Sequence, residues 1–331
     1  MDDPVAAALP EAFPDRVVER LVGVGPSWNG GNDTVGVDFA DGGRAYLKVA
    51  VDADERRIAR ERAVMERVRA MGAVSVPEVI AADPNADVPY LATAPAPGRD
   101  LLDVYDTVDT DAERVALLRG VGRTLAALHE DRFEHHGEIV GSRGVSGLDV
   151  STGSWTAVLL ATIERTREIG TTDRLAAHFD AVIDCVESSR DRLDEAPASL
   201  LHGDVAKPNA FVVDGRGGGD PKTDRSRIGL LDWELAHVGD PARDLVRARD
   251  QLCNEFDRDG PARFGDAVYD GYRDRAGSLP DGFAEREPVY RVVRILGRSG
   301  FLDQWASYLD TPIEALEERI DAELDRRLAA V

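Results

Sequence analysis

The sequence predicts an α+β chain in two parts, a small antiparallel sheet region followed by a larger, mostly helical one. Three observations carry this reading. Its 331 residues, 43% of them apolar, exceed one ordinary core and imply one large or two modest domains. Short strand patterns crowd between residues 17 and 93, interrupted by a single helical stretch. From Thr110 onward the apolar residues recur mostly at helical spacing.

Residues 17–25 read as a first strand, and Gly25-Pro26-Ser27-Trp28-Asn29-Gly30-Gly31-Asn32 as the loop after it. Residues 34–40 alternate as a second strand, Asp41-Gly42-Gly43 turns the chain, and 45–51 form a third. Lys48 sits in the middle of that apolar strand, where an ammonium needs a partner. The helix at 54–71 offers one: Ile58, Met65 and Val68 mark its apolar face, and Glu61 falls on the same side. Glu61 could equally rim the core and pair with an arginine. Residues 76–80 and 89–93 read as two further strands, after which Ala94-Pro95-Ala96-Pro97-Gly98-Arg99 breaks regular structure. The expected division is therefore 1–95 and 96–331.

In the second part, Thr110-Asp111-Ala112-Glu113 is a capping box opening a helix through Glu130, with His129 a structural residue at its end. Residues 135–153, rich in Gly and Ser, read as a loop, and helices are expected at 155–168 and 174–193. Two apolar runs, 210–213 and 228–231, flank a stretch of Gly, Asp, Lys, Arg, Ser and Pro, and two strands so joined pair antiparallel. Such a hairpin sets Asn209 beside Asp232 at one tip, with Asp204 on the turn that feeds it. Oxygen donors gathered this way suit Mg²⁺, which takes one or two protein oxygens and fills its remaining positions with phosphate and water. Further helices are expected at 261–275, 285–309 and 312–330; Phe301, Trp305 and Tyr308, at helical spacing, read as core.

Composition excludes several classes. The formal net charge of −22 argues against nucleic acid and anionic membranes as partners. Acid spreads along the whole chain and lysine occurs only at 48, 207 and 222, a pattern of adaptation to high salt. No run of about 18 apolar residues offers a membrane span. The opening Met1-Asp2-Asp3-Pro4 lacks the positive end of a secretory signal, so a cytoplasmic protein is expected. Cys185 and Cys253 are too few for a disulfide framework, and no Cys/His cluster suggests zinc.

His202-Gly203-Asp204-x4-Asn209, then Asp232-Trp233-Glu234, then Gly239-Asp240-Pro241-x-x-Asp244-Leu245 resemble the aminoglycoside phosphotransferase/choline kinase family, a small-molecule branch of the protein-kinase-like two-lobed fold. The resemblance is densest over 200–245 and extends more thinly from about residue 15 to the last helices. It implies ATP and Mg²⁺ as cofactors and a small-molecule hydroxyl as acceptor. It makes Asp204 the base facing that hydroxyl, Asn209 and Asp232 the magnesium ligands, and Lys48 with Glu61 the pair that steadies the phosphates. Backbone around Ala94 and Ala96 would meet adenine, and Asp244 would anchor the catalytic turn. Glu234 would touch a second magnesium or support Asp232.

The chain departs from the pattern in two places. No G-x-G-x-x-G occurs, so Gly30 and Gly31 either lay N–H groups over phosphates or form a flexible turn. Lys207 stands where the family more often has a neutral residue, and it either neutralises charge on the moving phosphoryl group or is simply exposed. His202 reads as packing under the turn. A silent nucleotide-binding pseudokinase is the alternative reading. A protein kinase is disfavoured, because no long activation segment fits between Asp232 and Gly239.

Overall fold

The computed structural model describes residues 3–24, 30–52, 54–144, 146–214 and 227–331. The chain divides into two compact units: Met1–Val108 with Ile139–Ser151 and Lys207–Ala236, and Asp109–Glu138 with Thr152–Ala206 and His237–Val331.

In chain order, the elements begin with α1 (Pro4–Ala12), β1 (Val18–Gly23), β2 (Asn32–Phe39), β3 (Arg44–Ala50), α2 (Glu55–Met71), β4 (Val79–Asp83), β5 (Tyr90–Thr93), β6 (Gly98–Asp100) and α3 (Leu101–Thr107). Then come α4 (Asp111–Leu128), β7 (Arg132–Phe133), β8 (His136–Arg143), β9 (Gly147–Gly153), α5 (Trp155–Ile169), α6 (Ala176–Ser188), α7 (Arg190–Asp194) and β10 (Ala198–Leu201). β11 (Ala210–Val213), β12 (Ile228–Leu230), β13 (His237–Gly239), α8 (Pro241–Cys253), α9 (Ala262–Ala276), α10 (Phe283–Leu296), α11 (Leu302–Leu309) and α12 (Ile313–Leu328) complete the chain.

The first unit is built on an antiparallel sheet in the order β1-β2-β3-β5-β4. Alternation decides its faces: Val37, Phe39, Ala45, Leu47 and Val49 point one way and pack with Val5, Ala8, Ala12 and Phe13 around α1. α2 starts where the Asp54 carboxylate caps the N–H of Arg56, and it buries Ile58, Glu61, Val64, Met65 and Val68, the face expected. β11 is the middle strand of a smaller sheet, paired antiparallel with β12 and with β6. That pairing is why Lys207–Ala236 belongs with the first unit, whereas the expected division ran through a single point at residue 95.

In the second unit β10 lies between β7 and β13, and β13 pairs with the start of β8. α4 and α8 pack against β10, and α9 packs in turn on both of them. α4 opens on the expected capping box of Thr110 and Glu113. α4 and α9 approach through glycine: a side chain at Gly122 would meet the Val268 carbonyl, and one at Gly271 the Arg119 carbonyl.

Several local expectations are corrected. Residues 136–143 and 147–153 are strands, not a loop. The strand expected at 76–80 lies at Val79–Asp83, since Pro77 cannot donate to a ladder. Gly98–Asp100, expected to be irregular, pairs with β11. The long helices at 174–193 and 285–309 each break, at Ser189 and after Gly297. Tyr308 is exposed, so the aromatic stripe is not all core. α1, α3 and α8 are additional helices. Among the described residues, no helix is long and apolar enough to cross a membrane.

Candidate active site

Within the first unit, strand β3 presents Lys48 and the buried face of α2 presents Glu61. The Lys48 ammonium donates to Glu61 Oε2 at 2.7 Å and to Asp232 Oδ1 at 2.6 Å, and lies 3.8 Å from Glu234 Oε2. The Lys48 side chain is 14% exposed, Glu61 5% and Asp232 37%. Burial, the largest effect, would push the ammonium down, but Glu61, Asp232 and Glu234 outweigh it and hold it above its ordinary value. Burial likewise pushes the Glu61 carboxyl up, against the pull of Lys48. Glu61 also accepts from the Trp233 N–H through Oε1, so one acid fixes both the ammonium and the segment after β12.

The hairpin tip differs from expectation by one residue. Ala210 pairs with Leu230, and the Leu231 N–H donates to the Asn209 carbonyl at 2.9 Å. Leu231 is thus the partner of Asn209, and Asp232 lies one step beyond, because β12 ends at Leu230 rather than at Leu231. Asp232 takes a left-handed backbone with φ of 61°, a conformation that costs a non-glycine residue about 1 kcal/mol and turns its carboxylate back to Lys48. Its Oδ2 has no protein partner among the described residues. An open carboxylate oxygen is a donor that suits a hard cation. No group of three or more His, Cys, Asp or Glu among the described residues is arranged to hold a metal.

Residues 25–29 of the expected nucleotide loop lie outside the described residues. Gly30 has φ of 64°, and the Gly31 carbonyl accepts from the Val51 N–H at 2.9 Å. At the segment expected to meet adenine, the Ala94 N–H donates to Glu78 and the Ala96 carbonyl accepts from Gly98. The Ala94 carbonyl and the Ala96 N–H have no hydrogen-bond partner among the described residues. They are the groups a base edge could use.

Within the second unit, Asp204 follows a turn at which Gly203 has φ of 83°, open only to glycine at low cost. Asp244 of α8 locks this turn: its oxygens accept from the His202 and Gly203 N–H groups, both at 2.9 Å, and meet His129 Nε2 at 3.2 Å. Burial would raise the Asp244 carboxyl, but the His129 and His202 contacts outweigh it and hold it well below the usual range. His202 is fully buried and its Nδ1 accepts from the Asp204 N–H, the packing role expected of it. Asp204 Oδ1 accepts from Arg247 at 2.6 Å and from Gln251 at 2.7 Å. Burial pushes its carboxyl up; Arg247 and Gln251 more than reverse this and keep it low.

Arg247 and Gln251 were not foreseen, although Asp240-Pro241, an N-cap followed by a first-turn proline, announces the helix that carries them. Asn32 was also missed: its amide donates to Glu234 Oε2. Arg60 donates to the carbonyls of Ile139 and Glu234. Lys207 lies 4.5 Å over the Tyr105 ring, a cation–π contact neither sequence reading anticipated.

The sequence profile of the Phosphotransferase enzyme family matches residues 25–289. No curated protein matches. Among solved structures, a thermostable mutant of aminoglycoside phosphotransferase APH(4)-Ia, in ternary complex with ADP and hygromycin B, is 18% identical with a TM-score of 0.63 over 98% of each chain. The ADP-bound aminoglycoside phosphotransferase APH(2'')-Ib is 16% identical, with a TM-score of 0.60 over 98% of this chain and 97% of that one. Macrolide 2'-phosphotransferase MphH from Brachybacterium faecium is 20% identical, with a TM-score of 0.57 over 97% of this chain and 98% of that one. At such identities the likeness is one of fold, and it is the protein-kinase-like arrangement of a sheet part and a helical part expected from the sequence.

Proposed function

This chain belongs to the phosphotransferase enzyme family, and from that premise we propose that it is an ATP- and Mg²⁺-dependent small-molecule kinase. It moves the γ-phosphoryl group to an acceptor hydroxyl. The observation that carries the reading is the Lys48 ammonium held at once by Glu61 and Asp232, with Glu234 nearby. One positive charge against three carboxylates leaves a formal surplus of −2 (1 − 3), the charge a divalent cation neutralises. Asp232 and Asn209 would hold Mg²⁺, which would offset negative charge on the phosphate oxygens. Lys48, kept ionised by its acids and braced by Glu61, binds the phosphates. The Ala94 carbonyl and Ala96 N–H take the base, and Gly30 and Gly31 give backbone N–H groups. ADP in two of the similar structures supports a nucleotide donor.

Asp204 orients the acceptor. As the hydroxyl oxygen bonds to the γ-phosphorus, the bond from that phosphorus to the bridging oxygen breaks, ADP leaves, and the hydroxyl proton passes to the Asp204 carboxylate. A carboxyl held low by Arg247 and Gln251 stays ionised at neutral pH and suits a reaction governed by positioning and charge. The acidic, lysine-poor composition supports operation in concentrated salt.

The test is a thermal shift with ATP and an ADP-release assay across hydroxyl compounds in concentrated salt. Both signals are expected with Mg²⁺, lost with a chelator and restored by excess Mg²⁺. ATP binding indifferent to Mg²⁺, or no ADP from any acceptor, overturns the proposal.

A further inference from the structure

Arg243, Arg247 and Gln251 of α8 follow one another a helical turn apart and rise from one face of the helix. Two of them hold Asp204. Arg243 does not. It is only 9% exposed, and its hydrogen bond runs to Nε2 of His237 at 2.8 Å, a ring nitrogen that must be unprotonated to accept it. Its guanidinium also lies 5.8 Å over the Trp155 ring. Among the described residues no carboxylate stands within 4 Å of it. Asp244, the acid with most influence on it, spends its oxygens on His202, Gly203 and His129. Burial, then the charge of Arg247, pushes Arg243 down to about 10.

Other buried arginines of this unit are treated differently. Arg286 grips Asp240 with two nitrogens, and Arg298 and Arg294 share Asp250. A guanidinium carries five donors, and a buried one without an acid keeps much of its desolvation cost. Arg243 therefore lacks an anion that the chain itself does not supply, in a protein whose overall charge is −22.

We propose that Arg243, with Arg247 beside it, binds an oxyanion of the acceptor, so that the alcohol phosphorylated here carries a carboxylate or a phosphate. The inference rests on the kinase reading for the role of Asp204. Arg243 stands one turn, about 6 Å along the axis, from the arginine that touches Asp204. An oxyanion a few bonds from the reacting hydroxyl fits that offset. Two arginines beside the candidate base would repel a cationic acceptor.

Two matched sets of compounds test this. On the three-carbon frame they are glycerate, glycerol 3-phosphate, glycerol and serinol. On the glucose frame they are gluconate, glucose 6-phosphate, glucose and glucosamine. Calorimetric binding to the full chain and ADP release with Mg·ATP are both read. The expected result is that an anionic member binds at least tenfold more tightly than the neutral and cationic members of its frame. Whether that member is the carboxylate or the phosphate separates the two sources of the oxyanion. In Arg243→Gln the anion-to-neutral ratio falls toward one; should that variant fail to fold, the wild-type ratio decides alone. Equal or tighter binding of a neutral or cationic member, or no binding of any anion, overturns the inference. If those neutral or cationic compounds release ADP, the kinase reading stands while the subsite falls. Tight anion binding with no ADP from any compound leaves the subsite standing and removes the kinase reading.

Discussion

Two charge clusters in this chain are built on opposite plans. Around Lys48 one ammonium is crowded by Glu61, Asp232 and Glu234; around Asp204 a carboxylate is gripped by Arg247, with Arg294 acting on it from farther off and Arg243 one turn along the helix. The first cluster is short of positive charge and the second of negative charge. Each shortage names what it is proposed to receive: Mg²⁺ with its nucleotide in one case, an oxyanion in the other. The second cluster is the more telling, because a chain with 62 acids against 40 bases has many carboxylates to spare, yet Arg243 is given none.

The hardest blow to this comparison comes from Asp204→Asn. A general base contributes about 10²- to 10⁴-fold, so ADP release is expected to fall by that factor while calorimetry shows Mg·ATP bound nearly as before. Near-normal turnover would assign the second cluster to structure alone. Lys48→Met tests the first cluster. It leaves Glu61 buried without its cation, which costs about 3–5 kcal/mol, measured as a shift in the urea midpoint. The sign with pH is specific. Burial raises the Glu61 carboxyl, so protonated Glu61 favours the folded state at low pH and that contribution is lost as pH rises through the raised value. The Lys48→Met deficit is therefore expected to widen from pH 6 to pH 8; an unchanged deficit would mean that Glu61 is not the acid that suffers.

How much of this was legible depended on whether a partner lay nearby in sequence or announced itself by pattern. Lys48 in an apolar strand and Glu61 on the inward side of the next helix were readable because period-2 and period-3.6 patterns fix which way each points. The Asp244 anchor was readable only through the resemblance, since nothing local shows that a carboxylate 42 residues on meets the His202 N–H. Asn32 and Arg247 were not readable: each acts across long sequence separation on an acid whose own motif looked complete. The strands at 136–143 and 147–153 were hidden by Gly and Ser, which read as loop when pairing with a distant strand is invisible. The tip register was missed by one residue because β12 stops at Leu230, whereas the apolar Leu231 reads as part of the strand.

The smallest effect is expected from Arg247→Gln, and it separates the two clusters by their response to acid. Burial tends to raise the Asp204 carboxyl, while Arg247 and Gln251 hold it below the ordinary range. A depressed carboxyl contributes stability above its unfolded value and loses it as pH falls through the folded one. Without Arg247 the folded value rises, so both the acid limb of the pH–rate profile and the onset of acid destabilisation are expected to move to higher pH. The charge-assisted hydrogen bond itself is worth about 1.5 kcal/mol, the low end of its range, because both side chains are roughly a quarter exposed. Arg247→Lys keeps the charge but not the planar fork, and is expected to recover most of the limb. Acid thus relieves the crowded carboxylates around Lys48 and weakens the pair at Asp204. If Arg247→Gln leaves the acid limb in place, the ion pair does not set the protonation of Asp204, and the contrast between the clusters rests on Arg243 alone.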